Sequence, residues 1–424
     1  MNIELINTGS ELLLGTVLNT HQSWICQQLT NCGYLVSRQI AVADESTIIQ
    51  QVVRESLSRA DLVITTGGLG PTSDDLTRNL IAELLGKKLH LDAAVLSQIE
   101  KSFTARKRVM APSSAVQALV PEGAMVLSNL HGTAPGLVLE IDPGRFRSND
   151  QPSFLIMLPG PPRELRPMFT NQVIPWLQRQ FPLCSPFICR VFKTTGLGES
   201  VLEETIAPSL QHLVGAGLTI GYCARIGEVD VRIIAHGDLA EKSATEASEI
   251  IQTLLAPYIF GFNEDQLEST VIRLLAERQQ TVALAESCTG GYISHRLTNI
   301  SGASAVFLSG SVTYSNEAKQ SFLGVTSDTL ARYGAVSEPV AREMAEGVRQ
   351  RTGASFGLAV TGIAGPNGGT PEKPAGTVFI ALAGPEPTVV LRGFNSYDRE
   401  TFKYVTSQQA LELLRRTVMR NSPS

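Results

Sequence analysis

The first 175 residues alternate short apolar runs with amphipathic segments, and this alternation limits the possible folds more than any other feature of the sequence. The runs NIELINTG and DLVITTGG have the length and apolarity of buried strands, and each ends in glycine. Capped amphipathic segments such as DESTIIQQVVRESLSRA lie between the strands. Strand, helix and strand in this order predict a doubly wound α/β domain, with a parallel sheet and helices on both faces.

The rest of the chain of 424 residues is too long to belong to the same core. Residues 176–256 read as strand, helix, strand pair and helix, which predicts a small α+β spacer module. We class the module as KH-like, although its loop TTGLGES lacks the GxxG spacing of an RNA-binding KH loop. After the segment APYIFGFNEDQ, residues 265–424 return to alternating strands and helices. The sequence therefore predicts three domains, over 1–175, 176–256 and 265–424, the last a three-layer α/β/α domain.

Composition and charge exclude several classes of protein. The net charge is -5, and no long basic run provides the surface that nucleic-acid binding usually requires. No apolar stretch reaches the ~18 residues of a membrane-spanning helix. The six cysteines form no CxxC pair, and no secretory signal precedes the first strand. We therefore expect a cytoplasmic protein with reduced thiols, no membrane span and no direct nucleic-acid contact.

Three special loops follow strands of the first domain, at the edge where parallel sheets bind ligands. They are NTGSELLLG, TTGGLGPTSDD and LPGPPREL. Gly67, Gly68 and Gly70 can adopt the backbone angles that turn several N–H groups toward one anion. Gly160 lies in a rigid proline loop at the same edge. Together these loops favour a binding site.

Two carboxylates beside the glycine loop would repel a bare anion. A divalent cation resolves this conflict, because Asp75, with Asp44, could hold Mg²⁺ between the protein and a phosphate. The alternative is that Asp74 and Asp75 only cap the following helix.

The segment ALAESCTGGYISHRL, residues 283–297, carries the chemistry of the last domain. Ser287 lies where a strand meets a helix, and glycines behind it leave room for a substrate. Cys288 is an alternative nucleophile, because thiolates react readily at helix N-termini. Glu286 could orient the substrate or cap the helix.

The base for Ser287 is not a nearby histidine, and lysine is another known base for serine. Lys319 begins a helix shortly after Tyr314, and burial would have to lower its pKa. A surface lysine and a core tyrosine remain the alternative. The loop TGIAGPNGG offers a second anion-binding backbone with the Thr361 hydroxyl as a donor, and Arg399 could bind a phosphate or form a salt bridge.

Four motifs in this half, AESCTGG, TYSNEAK, GAVSEP and TGIAGPNGG with KPAGTV, resemble the C-terminal domain of the CinA (competence/damage-inducible) family. The resemblance implies a nicotinamide mononucleotide (NMN) deamidase that releases ammonia and needs no cofactor. It implies Ser287 as nucleophile, Lys319 as base, Tyr314 as the hydrogen-bonding partner of the lysine, and Thr361 and Arg399 as active-site residues. Further substrate contacts are expected from Glu286, Thr289, Gly290, Gly291, Asn316, Gly362 and Gly365.

The front of the chain resembles the N-terminal, molybdopterin-binding-like domain of the same family through NTGSELLLG, TTGGLGPTSDDLT, GTAPG and LPGPPREL. The resemblance implies a metal-dependent ADP-ribose pyrophosphatase that gives AMP and ribose 5-phosphate. Asp75 and Asp44 would bind Mg²⁺ or a similar divalent ion. The expected substrate contacts are Ser10, Gly67, Gly68, Gly70, Thr72 and Gly160.

These inferences combine into one hypothesis, a bifunctional enzyme of pyridine nucleotide salvage that acts on NMN and ADP-ribose. The family resemblance also suggests a homodimer. The alternative is a non-catalytic protein that binds molybdopterin or regulates competence or the response to DNA damage. A protein that only binds has no need of Ser287, Tyr314 and Lys319 together, and a DNA-binding protein should be basic.

Overall fold

Three large β-sheets with helices packed on them organise the residues that this computed structural model describes, 1–148 and 151–420. Contacts divide the chain into two units. The first contains residues 1–189 and 236–238, and the second contains 190–235 and 239 onward. The last four residues of the domain predicted over 265–424 lie outside the described part of the chain.

The first sheet belongs to the N-terminal domain. The strands there are β1 (Ile3–Thr8), β2 (Val36–Val42), β3 (Leu62–Thr66), β4 (Leu89–Leu91), β5 (Leu119–Pro121), β6 (Met125–Leu127), β7 (Gly136–Ile141) and β8 (Ser153–Leu158). The helices are α1 (Ser10–Leu13), α2 (Thr20–Asn31), α3 (Ser46–Leu57), α4 (Thr77–Leu84), α5 (Ala93–Ala105), α6 (Pro162–Met168) and α7 (Ile174–Gln180). The sheet order is β2-β1-β3-β8-β7-β6, and β4 pairs separately with β5.

The predicted doubly wound arrangement of this domain is confirmed. The strands β2, β1, β3 and β8 are parallel, and every residue of β1, β3 and β8 is buried. Continuous burial follows from helices on both faces, where separate apolar cores form. Thr8 pairs with Val42, and Thr66 pairs with Leu158. The loops after all four parallel strands therefore meet at one edge.

Two antiparallel strands extend this sheet beyond the parallel part that the sequence predicted. The strand β7 pairs antiparallel with β8, and β6 pairs antiparallel with β7. No helix occurs in the described part of the connection between β7 and β8, and strands without a crossover helix pair antiparallel. The sequence predicts this hairpin, because the polar segment DPGRFRSNDQPS between the two apolar runs is typical of a hairpin tip. The antiparallel pairing of β7 with β8 confirms the hairpin, and residues 149–150 of the segment lie outside the described part of the chain.

The middle module has a sheet in the order β10-β11-β9-β12. Its elements are β9 (Phe187–Thr195), α8 (Glu199–Gly215), β10 (Thr219–Arg225), β11 (Glu228–His236), α9 (Ala240–Leu255) and β12 (Ile259–Phe262). The strands β10 and β11 form a hairpin. Apolar residues of α8 and α9, among them Leu202, Leu210 and Ile251, are fully buried.

The C-terminal domain has a sheet in the order β14-β13-β15-β16-β17. Its strands are β13 (Val282–Glu286), β14 (Phe307–Val312), β15 (Phe356–Gly362), β16 (Thr377–Ala383) and β17 (Val389–Phe394). Its helices are α10 (Leu267–Glu277), α11 (Tyr292–Thr298), α12 (Asn316–Leu323), α13 (Ser327–Tyr333), α14 (Glu338–Thr352) and α15 (Arg399–Arg420). Apolar cores on both faces confirm the predicted three-layer arrangement.

The parallel part of this sheet positions the candidate chemistry. The strand β13 pairs in parallel with β14 and with β15, and Glu286 lies opposite Val312 and Val360. Three loops therefore leave the same edge, one after each of these strands. The remaining pairs, between β15 and β16 and between β16 and β17, are antiparallel.

Candidate functional site

Ser287 stands directly after β13, in the tight turn that leads into α11. Its backbone N–H donates to the Val360 carbonyl at 3.1 Å, which extends the ladder between β13 and β15 by one residue. Gly290 and Gly291 follow with φ of 60° and 91°. Glycine adopts such positive φ values without strain, and the chain can therefore enter the helix within a few residues of the serine.

Lys319 contacts the hydroxyl of Ser287 from the neighbouring loop. Its Nζ lies 3.0 Å from Ser287 Oγ and 2.7 Å from the carbonyl oxygen of Thr313. The side chain is 1% exposed; it leaves the first turn of α12, and its Nζ contacts the residues that directly follow β13 and β14. Its hydrogen-bond acceptors are all uncharged, and burial lowers the pKa of Lys319. The lysine is therefore held where its neutral form can accept a proton.

Cys288 is disfavoured as the nucleophile. It is 6% exposed, and burial raises the pKa of its thiol to about 12. A thiol with this pKa carries almost no thiolate at neutral pH, and the thiolate is the reactive form. Charge and geometry therefore both favour Ser287.

Tyr314 does not interact with Lys319 in the predicted way. Its hydroxyl accepts a hydrogen bond from Arg399 Nη2 at 2.7 Å, and Lys319 approaches only its backbone carbonyl, at 3.4 Å. Arg399 also donates to the Gly365 carbonyl at 3.1 Å. The tyrosine side chain is 62% exposed and therefore belongs to the rim of the site. It orients the arginine, and the carbonyl oxygens orient the lysine.

These residues surround an open cavity of about 260 Å³. The lining contains the five predicted catalytic residues and two predicted glycines: Ser287, Tyr314, Lys319, Thr361, Gly362, Gly365 and Arg399. It also contains residues that the sequence did not single out as contacts: Cys288, Ala335, Val336, Ile363, Ala364 and Asn367. The Thr361 hydroxyl donates to the Ala335 carbonyl at 2.8 Å, so its proton is already used within the protein.

Five predicted substrate contacts do not line this cavity: Glu286, Thr289, Gly290, Gly291 and Asn316. Glu286 is fully buried, and its two oxygens accept from the N–H groups of Ile293 and Ser294. The prediction that Glu286 contacts the substrate is therefore wrong. The alternative holds, because this carboxylate binds the first turn of α11. Thr289 is also fully buried, and Asn316 lies exposed on α12.

A second open cavity, of about 400 Å³, lies where β1, β2, β3 and β8 end in the N-terminal domain. Five carboxylate side chains line it: Glu11, Asp44, Asp74, Asp75 and Glu164. Of the predicted contacts, Gly67, Gly68, Gly70 and Gly160 also line it.

The glycines of this cavity are required by space as well as by conformation. A Cβ on Gly67 would lie 2.7 Å from the Thr8 carbonyl oxygen, and one on Gly68 would lie 2.0 Å from Thr77 Oγ1. Both glycines have positive φ. The N–H of Gly67 donates to the Leu158 carbonyl at 3.0 Å, which corrects the expectation that it points to a ligand. Any anion must therefore meet the loop beyond this residue.

A buried cation behind the glycine loop escaped the sequence analysis. Arg78, in the first turn of α4, is 3% exposed, and its Nη1 lies 3.5 Å from the Leu69 carbonyl oxygen. Burial lowers the pKa of its guanidinium, and the nearby Asp75 opposes this shift. A basic residue in the first turn of the helix after a glycine loop was the available signal.

Ser10 and Thr72 hold the predicted metal ligands in position and do not line the cavity. Asp44 Oδ2 accepts from the Ser10 N–H at 2.8 Å, and Ser10 Oγ accepts from the Asp44 N–H at 3.1 Å. Asp75 Oδ2 accepts from the Thr72 N–H at 3.0 Å and from its hydroxyl. The helix caps are Glu45 for α3 and Leu76 for α4, so neither predicted ligand caps a helix.

These carboxylates fit a cation that is shared with a substrate. Within residues 1–148 and 151–420, no group of three or more His, Cys, Asp or Glu side chains is arranged to hold a metal ion by itself. Mg²⁺ usually keeps several waters and takes one or two carboxylates together with phosphate oxygens. Asp44 and Asp75, which line the same cavity, are two such carboxylates.

His21 holds in place the proline loop that lines one side of this cavity. Its Nε2 is hydrogen-bonded to the carbonyl oxygen of Gly160. Burial lowers the pKa of the imidazole, the hydrogen bond to Gly160 opposes this shift, and the nearby Arg166 adds to it, so that the neutral form of the ring is favoured. A neutral ring donates one hydrogen bond to the carbonyl, which fixes the loop without adding charge to the site.

Family models cover most of the chain. Residues 264–418 match the "CinA C-terminal domain", residues 4–179 match the "Probable molybdopterin binding domain", and residues 189–261 match the "Damage-inducible protein CinA KH domain". These matches confirm the predicted architecture of three domains, including the KH type of the middle module.

Individual proteins match over nearly the full length. A CinA-like protein of Akkermansia muciniphila is 43% identical over 413 residues, which cover 97% of this chain and 96% of the relative. A CinA-like protein of Kosmotoga olearia is 40% identical over 423 residues and 99% of both chains. A crystal structure of a competence/damage inducible protein from Agrobacterium tumefaciens is 42% identical, covers 35% of this chain and 91% of its own, and gives a TM-score of 0.34.

None of the described helices is both long enough and apolar enough to cross a membrane.

Proposed function

The chain belongs to the CinA family, and from this premise we propose that its C-terminal domain is an NMN deamidase. The substrate carboxamide becomes a carboxylate, and the other product is ammonia. The observation that carries the proposal is the buried contact of 3.0 Å between Lys319 Nζ and Ser287 Oγ. A buried lysine without a carboxylate partner destabilises a fold, and such a cost is typical of a functional site.

The geometry supports a mechanism with two steps. Neutral Lys319 takes the proton from Ser287 Oγ, which attacks the carboxamide carbon. The protonated lysine then gives its proton to the leaving nitrogen, and ammonia departs from an acyl-serine ester. A water molecule, deprotonated by the same lysine, hydrolyses this ester and regenerates Ser287. Each proton that the lysine accepts in one step is returned in the next.

Backbone N–H groups of the turn after β13 are the natural donors to the developing oxyanion. The N–H groups of Ser287 and Gly290 already donate to the carbonyl oxygens of Val360 and Ser287. The oxyanion must therefore use other N–H groups of this turn.

The remainder of the cavity suits a mononucleotide. Val336, Ile363 and Ala364 offer an apolar wall for a pyridine ring. Arg399 lies at the rim, and the Tyr314 hydroxyl and Gly365 carbonyl orient its guanidinium. A fixed guanidinium binds a phosphate through two parallel hydrogen bonds. In our proposal the ring enters the cavity and the phosphate stays near the arginine.

For the N-terminal domain we propose a metal-dependent ADP-ribose pyrophosphatase. Asp75 and Asp44 would hold a divalent cation such as Mg²⁺, which would neutralise the diphosphate and the leaving phosphate. Beyond Gly67, the glycine loop would contact the diphosphate, and Arg78 would add positive charge behind it. The supporting observation is the placement of these carboxylates and glycines around one cavity.

One experiment with the full chain tests both proposals. Purified protein is given NMN with a chelator, or ADP-ribose with Mg²⁺, and products are identified by mass spectrometry. We expect nicotinate mononucleotide and ammonia in the first case, and AMP and ribose 5-phosphate in the second. Folded protein that releases no ammonia from NMN would refute the deamidase, and intact ADP-ribose would refute the pyrophosphatase. The homodimer suggested by the family is a separate prediction, tested by light scattering in solution.

A further inference from the structure

Glu164 differs from the other carboxylates of the N-terminal cavity in its burial. It is 8% exposed, whereas Glu11 and Asp74 are exposed and Asp44 and Asp75 are half-buried. It lies in α6, which begins directly after the proline loop that follows β8. The sequence analysis assigned it no function. Burial of a carboxylate is costly, so its position at a cavity wall requires an explanation.

The environment of Glu164 fixes its carboxylate at the cavity wall. The buried Asn129 donates through Nδ2 to Glu164 Oε2 at 2.8 Å and to the Ala134 carbonyl at 2.8 Å. The second oxygen, Oε1, has Arg163 Nε at 3.9 Å, and this arginine side chain is 73% exposed. One oxygen is therefore used for positioning, and within residues 1–148 and 151–420 the other has only a distant, solvated partner.

Gly132 lies directly against this carboxylate. A Cβ at this position would lie 1.9 Å from Glu164 Oε2 and 2.5 Å from Oε1. Gly132 belongs to the motif GTAPG, whose residues Thr133 and Ala134 line the same cavity. The motif therefore provides the space and the cavity wall that Glu164 requires. This arrangement is expected for a preorganised reacting group.

We propose that Glu164 is the general base of the N-terminal reaction, an inference that rests on the proposed pyrophosphatase function. Oε1 takes a proton from a water molecule, and the water oxygen bonds to one phosphorus of the diphosphate. The bond from that phosphorus to the bridging oxygen breaks, and the other phosphate leaves with the electron pair. Asp44 and Asp75 would hold the divalent cation, which would neutralise charge on the leaving phosphate. These different functions follow from burial. The half-buried Asp44 and Asp75 can reach a hydrated cation, whereas Glu164 is buried at the cavity wall.

The test is Glu164→Gln in the full chain. Glutamine keeps the shape of the side chain and can still accept the hydrogen bond from Asn129. It cannot accept a proton at this position. We expect kcat for ADP-ribose to fall by about 10²–10⁴-fold, the range for general base catalysis. KM for ADP-ribose and the Mg²⁺ concentration for half-maximal activity should change by less than about 3-fold, because the base does not bind either one.

The pH profile separates catalysis from structure. The acid limb of kcat for the wild type should disappear in Glu164→Gln, because the group that titrates is gone. Glu140→Gln is the matched control: this residue is exposed on β7, and the variant should retain wild-type kcat and pH profile. Thermal unfolding of both variants verifies that they are folded.

Several outcomes would overturn the inference. A folded Glu164→Gln with kcat within about 3-fold of wild type would show that no base acts there. A raised KM with unchanged kcat, or recovery of activity at high Mg²⁺, would make Glu164 a binding residue.

If the glutamine variant does not fold, Glu164→Asp retains the charge with a shorter reach, and it should keep the acid limb at reduced kcat. An aspartate variant with an unchanged kcat or without the acid limb would equally refute the base. A wild type inactive on ADP-ribose refutes the proposed function itself, and the base with it.

Discussion

The two cavities of this protein follow the same architectural rule and have opposite electrostatics. Each lies where the parallel strands of a sheet end, as expected for open α/β sheets. The N-terminal cavity is lined by five carboxylate side chains. Among the residues that the structure describes, those lining the C-terminal cavity include no carboxylate and two basic residues, Lys319 and Arg399.

This difference shows how each site can handle an anionic substrate. In our proposal the carboxylates of the N-terminal cavity would repel a bare diphosphate, and a divalent cation would convert that repulsion into binding. In the C-terminal cavity burial lowers the pKa of Lys319, which favours its neutral form, and in our proposal Arg399 binds the phosphate. We therefore expect the first activity to depend on metal and the second to depend on pH through a lysine. The following predictions use this contrast.

The largest effect is expected from Ser287→Ala. Loss of the nucleophile should reduce kcat for NMN by about 10⁴-fold or more, because the lysine then has no hydroxyl to activate. Hydrolysis of ADP-ribose should keep its wild-type rate. The measurement is ammonia release from NMN beside AMP release from ADP-ribose, in the same preparation. Substantial ammonia release by the alanine variant would exclude the acyl-serine mechanism.

Lys319→Met should reduce deamidation by about 10²–10⁴-fold, the range for loss of a general base. In the wild type, kcat/KM should rise with pH up to the lowered pKa of Lys319, since only the neutral amine accepts a proton. The variant should lose this acid limb. An acid limb retained in the methionine variant would assign it to another group.

Lys319→Met also tests how the buried lysine affects the free energy of unfolding. The pKa of Lys319 is lowered in the folded chain, so between that pKa and the unfolded value the unfolded chain binds more protons. Stability due to this lysine is therefore lost as the pH falls through that window, and the penalty grows until the pH lies below the lowered pKa. Lys319→Met removes the penalty and should raise Tm at pH 7, measured by thermal unfolding. A lower Tm would mean that the lysine stabilises the fold.

Thr72→Ala should affect only the metal-dependent site, and less severely. It removes the hydroxyl that holds Asp75 but leaves the carboxylate in place. Loss of such an outer partner typically costs 10–100-fold in metal affinity or activity. Titration of ADP-ribose hydrolysis with Mg²⁺ should show the weaker response, and NMN deamidation should not change. An unaltered Mg²⁺ titration would remove Asp75 from the proposed metal site.

The smallest effect is expected from Cys288→Ala. The thiol is protonated at neutral pH and lies beside the reacting serine without a chemical function in our mechanism. NMN deamidation should stay within about 3-fold of wild type. A loss comparable to that of Ser287→Ala would make the cysteine essential and contradict the assignment of the nucleophile.

Much of the fold could be predicted because its signals are local. Buried parallel strands appear in the sequence as continuous apolar runs, and capping residues and glycines mark where helices begin and end. The hairpin of β7 and β8 has such a local signal in the polar segment DPGRFRSNDQPS, whereas the pairing of β6 with β7 has none, because strand pairing depends on the neighbour in space. Glu286 shows the same limit within the site, because only burial and the contacts with Ile293 and Ser294 separate a capping carboxylate from a substrate contact.

The sequence by itself determined which loops carry chemistry and which residue types they offer, because glycine, proline and capping side chains act over a few residues. Only the tertiary structure decided which of these side chains contact one another. Lys319 lies 32 residues from Ser287 in sequence, and Arg399 lies 85 residues from Tyr314, and each pair meets at the end of the sheet. Burial of Lys319 and Glu164 was decided in the same way. Both properties depend on the order of strands and on what packs above them, which no local pattern encodes.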